Sequence, residues 1–188
     1  RENEKISTFK NSLDKIKEHI IELQSFGKIE KTSKRFFEFA KLLGSRGYLL
    51  NAITLLLEAI GCYCLESLKE IDNIVKEYVE SFDSHYDQTQ TSRSIIAKFR
   101  NSETKKNKED AKEKIIDFKE NAKEKINIFL KSKNIENFQK FIEDARELRN
   151  NLAHGNNRKK IEDARKIFDE LVEEYKVFCI DNDILSRI

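Results

Sequence analysis

The sequence predicts an all-α fold, a bundle of five to six helices with one long polar loop or insertion. Proline is absent and only 5 glycines occur in 188 residues, which is too few turn formers for a sheet-rich domain. Hydrophobic residues make up 38% of the chain and charged residues 37%, so a stable core requires periodic apolar positions. Such positions recur at spacings of three and four, and we treat residues 1–188 as a single domain.

Two amphipathic helices open the chain. The first ends near Gly27, and the second begins near Thr32 or Ser33, whose hydroxyls suit a helix N-cap. The second ends at the break "GSRG" (44–47). The apolar stripes comprise Ile6, Phe9, Leu13, Ile16, Ile20 and Leu23 in the first helix, and Phe36, Phe39, Ala40 and Leu43 in the second.

The third helix is predicted to be the centre of the core. "YLLNAITLLLEAIGCYCL" is apolar almost all round, but Asn51 and Glu58 near its middle favour a buried helix over a membrane span. The apolar periodicity predicts that this helix continues through 71–82. The pattern then fails over 84–102, and we expect a loop or insertion at 84–108 with one helical turn at 95–99.

Three helices are predicted in the second half of the chain. "EDAKEKIIDFK" (109–119) recurs as "ENAKEKINIFL" (120–130), and an 11-residue repeat keeps one stripe aligned along a single helix, 109–131. A fifth helix is expected from a cap near Asn134 to Gly155, a favourable residue just past a helix end. A sixth begins near Lys159 and carries apolar residues as far as Tyr175.

The end of the fifth helix, "ELRNNLAHGNNRKK", carries the candidate site Arg149, Asn150 and His154. Arg149 and His154 are five residues apart, which separates them by roughly 140° around a helix axis. Asn150 and His154, four apart, share a face. Either the helix ends early and His154 swings on the last turn, or two copies of the chain each donate part of one site.

These residue types allow a narrow range of chemistry. The guanidinium of Arg149 suits a phosphate, and the imidazole of His154 can move a proton. Without a metal, such a pair suits RNA cleavage, in which the 2′-hydroxyl of the substrate is the nucleophile. The basic triplet Arg158, Lys159 and Lys160 could hold flanking phosphates. The alternative is that Arg149 and His154 are only surface charges at a helix end.

The composition of the chain indicates which kinds of partner and which cellular compartment are compatible with it. Residues 98–114 contain seven Lys/Arg against four Asp/Glu, whereas 161–188 contain four against eight, which is compatible with a polyanionic partner on one side. Solvated helix faces explain the same asymmetry. The odd number of cysteines, 3, indicates a reduced, cytoplasmic protein. Cys62 and Cys64 lack further ligands at metal spacing, so neither a zinc site nor a cofactor is predicted.

"LRNNLAHG" resembles the R-x-x-x-x-H signature of HEPN domains, which lies at the end of a late helix with a polar residue after the arginine. Arg149, Asn150 and His154 fill those places. The apolar third helix looks like that in the HEPN half of CRISPR-associated CARF–HEPN ribonucleases of type III systems. The resemblance covers the helical order of most of the chain but only about eight residues of specific motif.

The resemblance implies a metal-independent endoribonuclease that cuts single-stranded RNA at a composite site in a homodimer. It implies 2′,3′-cyclic phosphate and 5′-hydroxyl ends, and an accessory role in antiviral CRISPR defence. The chain lacks an initiator Met and any strand-to-helix glycine motif, so we expect a fragment whose N-terminal CARF domain lies outside it. Cyclic oligoadenylate would be a ligand only of that outside domain.

Two further interpretations remain open. The chain could be a non-catalytic HEPN-like module that binds RNA or protein, or the toxin of a toxin–antitoxin pair. Glu58 and Asn51 are candidate supporting residues: Glu58 either orients the arginine of the site or pairs with a nearby cation. His19 and His85 are interpreted as ordinary exposed residues.

Overall fold

The computed structural model of the protein describes residues 14, 17–18, 20–21, 23–98, 113–155 and 161–186. Every regular element within these ranges is a helix, which confirms the all-α prediction. The helices are α1 (Thr32–Ser45), α2 (Leu49–Lys69), α3 (Asn73–Glu80), α4 (His85–Ala97), α5 (Glu113–Lys131), α6 (Glu136–Ala153) and α7 (Ile161–Tyr175), followed by a π-helical turn, Lys176–Asp181. The predicted number, five to six, was too low because two elements were misread.

Helix α2 is the centre of the bundle, as its composition predicted. It packs against α1, α3, α4, α6 and α7. Ile53, Leu56, Ile60 and Leu68 have no exposed surface, and most of the apolar part of the helix is buried inside the fold. Its length and hydropathy would suffice to cross a membrane, and among the described helices it alone passes that test. Burial among neighbouring helices explains the same composition.

The predicted continuation of α2 through 71–82 is wrong. The helix ends at Lys69, and a new helix, α3, begins at Asn73. Asp72 separates them: its backbone is extended and its Oδ1 accepts the N–H of Ile74 at 2.8 Å, an N-cap. Its Oδ2 pairs with Nζ of Lys125 on α5 at 2.8 Å. The apolar periodicity persisted across the break because both helices face the same core.

The predicted loop at 84–108 is also wrong over its described part, since residues 85–97 form α4. Ser84 caps this helix by accepting the N–H of Asp87 at 3.1 Å. The buried side of α4 is mostly polar, which is why the sequence showed no apolar stripe: its buried residues are Thr89, Ser92, Arg93 and Ile96. The rest of the predicted insertion, 99–108, lies outside the described residues.

The buried face of α1 is rotated from the predicted one. Phe37 is 1% exposed and its ring stacks on Tyr175 at 4.3 Å between centroids, whereas Phe36 and Leu43 are only partly buried. Gly44 lies inside the helix rather than at a break, and the turn comes at Arg46 and Gly47. The small residues of α1 let it approach α7 closely.

The remaining helix boundaries agree in part with the predictions. Residues 23–26 are helical and a turn follows at Gly27, but Ile20 and Leu23 of the predicted stripe are 49% and 43% exposed. The cap of α6 is Ile135 without a side-chain bond, so Asn134 is not its cap. The predicted starts of two helices, 109–112 and 159–160, lie outside the described residues.

Candidate functional site

The candidate site lies at the C-terminal end of α6, and the helix ends where the sequence predicted. α6 extends to Ala153, His154 is the C-cap, and Gly155 follows with φ +61°. That left-handed conformation is costly for residues with a Cβ, so glycine stops the helix there. The end of the helix therefore has a definite conformation rather than an irregular one.

The core fixes α6 from the opposite side. Phe138, Phe141, Ile142 and Ala145 are each at most 1% exposed, and Leu148 is 6% exposed. The ring of Phe138 lies edge-on to that of Tyr63 on α2 at 5.9 Å. The last two turns thus project from a helix that the core holds firmly, which is the kind of support that a functional side chain needs.

Arg149 and Asn150 are both exposed, and they are joined by a hydrogen bond. Nη1 of Arg149 donates to Oδ1 of Asn150 at 3.0 Å. An amide oxygen beside a guanidinium restricts the rotamers of a long side chain but leaves other N–H groups of the fork available to a ligand. The arrangement is thus suited to presenting a cation to an anionic group in solvent.

His154 keeps its helical register. Its backbone N–H donates to the carbonyl of Asn150 at 3.0 Å, and its φ of −94° and ψ of 3° remain near the helical region. The alternative in which the helix ends early, so that His154 swings towards Arg149, needs this bond to be broken. Arg149 and His154 are therefore still separated by a wide angle around the helix axis.

A second polar group, which the sequence did not reveal, lies between α2 and α4. We call Glu58, Gln90 and Arg93 the Arg93 network. The guanidinium of Arg93, 8% exposed, donates through Nη1 to the carbonyl of Leu57 at 3.0 Å and through Nη2 to Oε1 of Gln90. Nε2 of Gln90 in turn donates to Oε1 of Glu58 at 3.3 Å.

The electrostatics of this network involve α6 as well. Burial lowers the pKa of Arg93, the charge of Glu58 opposes that shift, and the charge of Arg146 on α6 adds to it. Arg146 is exposed and lies one turn before Arg149. The bond of Glu58 is thus with the neutral amide of Gln90 of α4, which neither orients Arg149 nor is a direct pair with a cation, and Asn51 is exposed.

The structure brings together some predicted residues and not others. Arg149, Asn150 and His154 share one helix end, whereas the basic triplet Arg158, Lys159 and Lys160 lies outside the described residues, as does His19. His85 is exposed, as expected. Gln90 and Arg93 were missed because their segment was interpreted as a loop. A heptad-like spacing of Thr89, Ser92, Arg93 and Ile96 was the available signal.

The three cysteines are free thiols in the fold. Cys62 and Cys64 are buried, and burial is the main cause that raises the pKa of Cys62 to about 12 and raises that of Cys64 further. Protonated, buried thiols are poor nucleophiles. Over the described part of the chain, no group of three or more His, Cys, Asp or Glu side chains is arranged to hold a metal ion.

Comparisons with known proteins leave the family open. No protein-family model matches the chain, no curated protein matches it, and no solved structure matches it.

Proposed function

We propose that this protein is an endoribonuclease that cleaves single-stranded RNA without a metal ion, at a site shared by two copies of the chain. The observation that carries the proposal is the exposed Arg149–Asn150 pair, 3.0 Å between Nη1 and Oδ1, about one turn before His154 at the end of α6. The resemblance of "LRNNLAHG" to the HEPN signature supplies the class of reaction.

The proposed chemistry needs only groups of the RNA and of this helix end. The 2′-hydroxyl attacks the adjacent phosphorus, the bond to the 5′-oxygen breaks, and the products carry a 2′,3′-cyclic phosphate and a 5′-hydroxyl. Arg149 would stabilise the extra negative charge on the phosphate oxygens, and Asn150 would hold its guanidinium. His154 would transfer one of the two protons, from the 2′-hydroxyl or to the leaving oxygen, and solvent water would exchange the other.

The helix geometry supports a shared site. Because His154 stays in register, one straight helix presents it and Arg149 in directions roughly 140° apart. A single phosphate then meets both residue types most readily between two helix ends related by a two-fold axis. In such a dimer each chain contributes one arginine and one histidine to one site. An accessory role in CRISPR defence would fit this class of ribonuclease.

A cleavage assay tests the reaction. Labelled single-stranded RNA is incubated with the protein in the presence of EDTA, and we expect fragments with cyclic phosphate ends. Arg149→Ala and His154→Ala should each lower the rate by about a hundredfold or more, the usual size of an electrostatic or proton-transfer contribution. Arg165→Ala, which removes a partly exposed arginine of α7 that pairs with Asp169, is the control and should cleave normally. Binding without cleavage would favour the non-catalytic interpretation.

A mixing experiment tests the shared site. Arg149→Ala and His154→Ala chains are mixed under conditions that exchange subunits. A mixed dimer retains one arginine from one chain and one histidine from the other. We expect partial recovery of cleavage if the site spans both chains. No recovery, with mixed dimers demonstrated by mass spectrometry, would refute a composite site while leaving the ribonuclease proposal to the first assay.

A further inference from the structure

A cavity of about 440 Å³ opens between α3, α4 and α5, away from the end of α6. Its apolar wall is formed by Tyr78 of α3, Ile95 of α4 and Ile126 of α5. Tyr78 and Ile126 are only 8% and 2% exposed, so these side chains are held in place by the core. A concave apolar surface of this volume is typical of sites for small organic ligands.

The polar side of the cavity has one sign of charge. Among the described residues that line it, Lys98 and Lys123 are the only charged ones, and none is Asp or Glu. Lys123 has one acidic neighbour, Glu120, at 3.8 Å, but both side chains are more than half exposed, so this pair competes weakly with a ligand.

Neutral polar groups complete the lining and favour a short polar head over a fully apolar ligand. Thr91 and Ser94 of α4 contribute hydroxyls, and Asn127 of α5 and Gln90 of the Arg93 network contribute amides. Hydroxyls and amides donate hydrogen bonds to carboxylate or phosphate oxygens. The apolar wall and the two lysine side chains therefore line one concave surface.

We propose that this cavity binds a small amphipathic anion, with an apolar or aromatic body against Tyr78, Ile95 and Ile126 and a carboxylate or phosphate beside Lys98 and Lys123. The site does not involve Arg149 or His154, so the proposal stands whether or not the protein cleaves RNA. It assigns to the α3–α5 side of the bundle a binding role separate from the end of α6.

Three probes that share an apolar phenylalkyl group but differ in charge test the proposal: phenylbutyrate is an anion, phenylbutanol is neutral and phenylbutylamine is a cation. Their affinities for the full chain are measured by isothermal titration calorimetry. We expect phenylbutyrate to bind roughly tenfold more tightly than phenylbutylamine, because two nearby ammonium groups attract the one and repel the other. Equal affinities for the anion and the amine, or no binding of phenylbutyrate at millimolar concentration, would overturn the proposal.

Two sets of variants locate the binding. Lys98→Gln with Lys123→Gln should abolish the preference for the anion, while the matched pair Lys140→Gln with Lys166→Gln, exposed lysines outside the cavity, should retain it. Ser94→Trp should fill the cavity and weaken all three probes at least tenfold. If Ser94→Trp melts early by circular dichroism, the lysine pair decides alone. A preference that survives loss of both cavity lysines would place the binding elsewhere and refute the assignment.

Discussion

The hydroxyl of Ser33 donates a hydrogen bond of 2.6 Å to Oε2 of Glu66, and the backbone N–H of Ser33 donates to Oε1 of the same carboxylate at 3.1 Å. The two residues are 33 positions apart, on α1 and α2. Lys31, the N-cap of α1, makes no side-chain cap bond. A carboxylate from the central helix therefore satisfies the start of α1, where its negative charge also faces the positive end of the helix dipole.

We predict that Glu66→Ala lowers the free energy of unfolding by about 1–3 kcal/mol, because it leaves the amide and hydroxyl of Ser33 without their acceptor in a partly buried place. Glu66→Gln should lower the free energy of unfolding by less, since the amide oxygen of glutamine still accepts one hydrogen bond. Urea unfolding followed by circular dichroism gives the values. Glu143→Ala, which removes an exposed carboxylate on α6, is the control and should change stability by less than about 0.5 kcal/mol.

A second prediction concerns the contact of α1 with α7. A Cβ placed on Gly44 would lie 2.2 Å from Cε1 of Phe168, and Phe168 is only 2% exposed, so its ring has little room to move. Gly44→Ala should lower the free energy of unfolding by about 1–3 kcal/mol despite the better helix propensity of alanine. Thermal and urea unfolding measure the loss.

The partner substitution Phe168→Leu makes this prediction sharper. Added to Gly44→Ala, the smaller side chain should recover part of the lost stability, so that the double-mutant cycle gives a coupling of about 1 kcal/mol or more. Gly27→Ala is a matched control, because the nearest atom to its added Cβ lies at 3.4 Å. Additive losses would mean that the two residues do not restrict each other.

The polar face of α4 shows where prediction from sequence reached its limit. Thr89 packs against Gly61 of α2, with its Cβ at 3.1 Å from the position of an added Cβ. Small hydroxyl side chains can be buried when a glycine on the neighbouring helix brings the backbones close, and that complementarity appears only once both helices are placed. The glycine that ends α6, by contrast, acts locally, and the position of the candidate site was therefore predictable.

The same limit applies to the caps. Thr32 or Ser33 was expected to cap α1, but the N-cap is Lys31, and Ser33 bonds instead to the distant carboxylate of Glu66. Asp72, which interrupts the periodic run between α2 and α3, resembles any other exposed acid in the sequence. The central helix was predicted because its composition alone demands burial. Local signals thus located most elements, whereas the contacts that join them depend on tertiary structure.

A third prediction concerns Arg93, which is buried between α2 and α4. Arg93→Met should lower the free energy of unfolding by about 2–4 kcal/mol, because Gln90 and the carbonyl of Leu57 lose the hydrogen bonds from the guanidinium and Glu58 loses a compensating cation. Arg146→Met, which truncates the exposed arginine nearby, should cost less than about 0.5 kcal/mol. Chemical denaturation of both variants provides the comparison.

A companion variant identifies the source of that loss. Glu58→Gln removes the negative charge but keeps an oxygen that can accept the bond from Gln90. If Arg93 acts mainly through its bond to Leu57, this variant should lose much less stability than Arg93→Met. Equal losses would instead assign most of the stabilisation to the charge of Glu58 and would contradict our interpretation.

A fourth prediction concerns alkaline pH and follows from the buried thiols of α2. Burial, with smaller contributions from Glu66 and Glu58, raises the pKa of Cys62 to about 12 from an ordinary value of 9.0. Near pH 8 the folded protein then holds about a thousandfold less thiolate at this position than an unhindered thiol. In a variant that retains Cys62 alone, with Cys64→Ala and Cys179→Ala, iodoacetamide should react slowly until urea unfolds the chain.

The raised pKa of Cys62 also makes the free energy of unfolding depend on pH, and it predicts that stability falls as pH rises. The folded pKa of Cys62 lies above the unfolded one, so its contribution is complete below pH 9.0 and is lost as pH rises towards about 12. Other groups also titrate there, so the stability of the wild type is compared with that of Cys62→Ala at each pH. The difference should shrink by up to about 1.4 kcal/mol per pH unit above pH 9. A constant difference from pH 8 to pH 11 would show that Cys62 ionises equally well in the folded and unfolded protein.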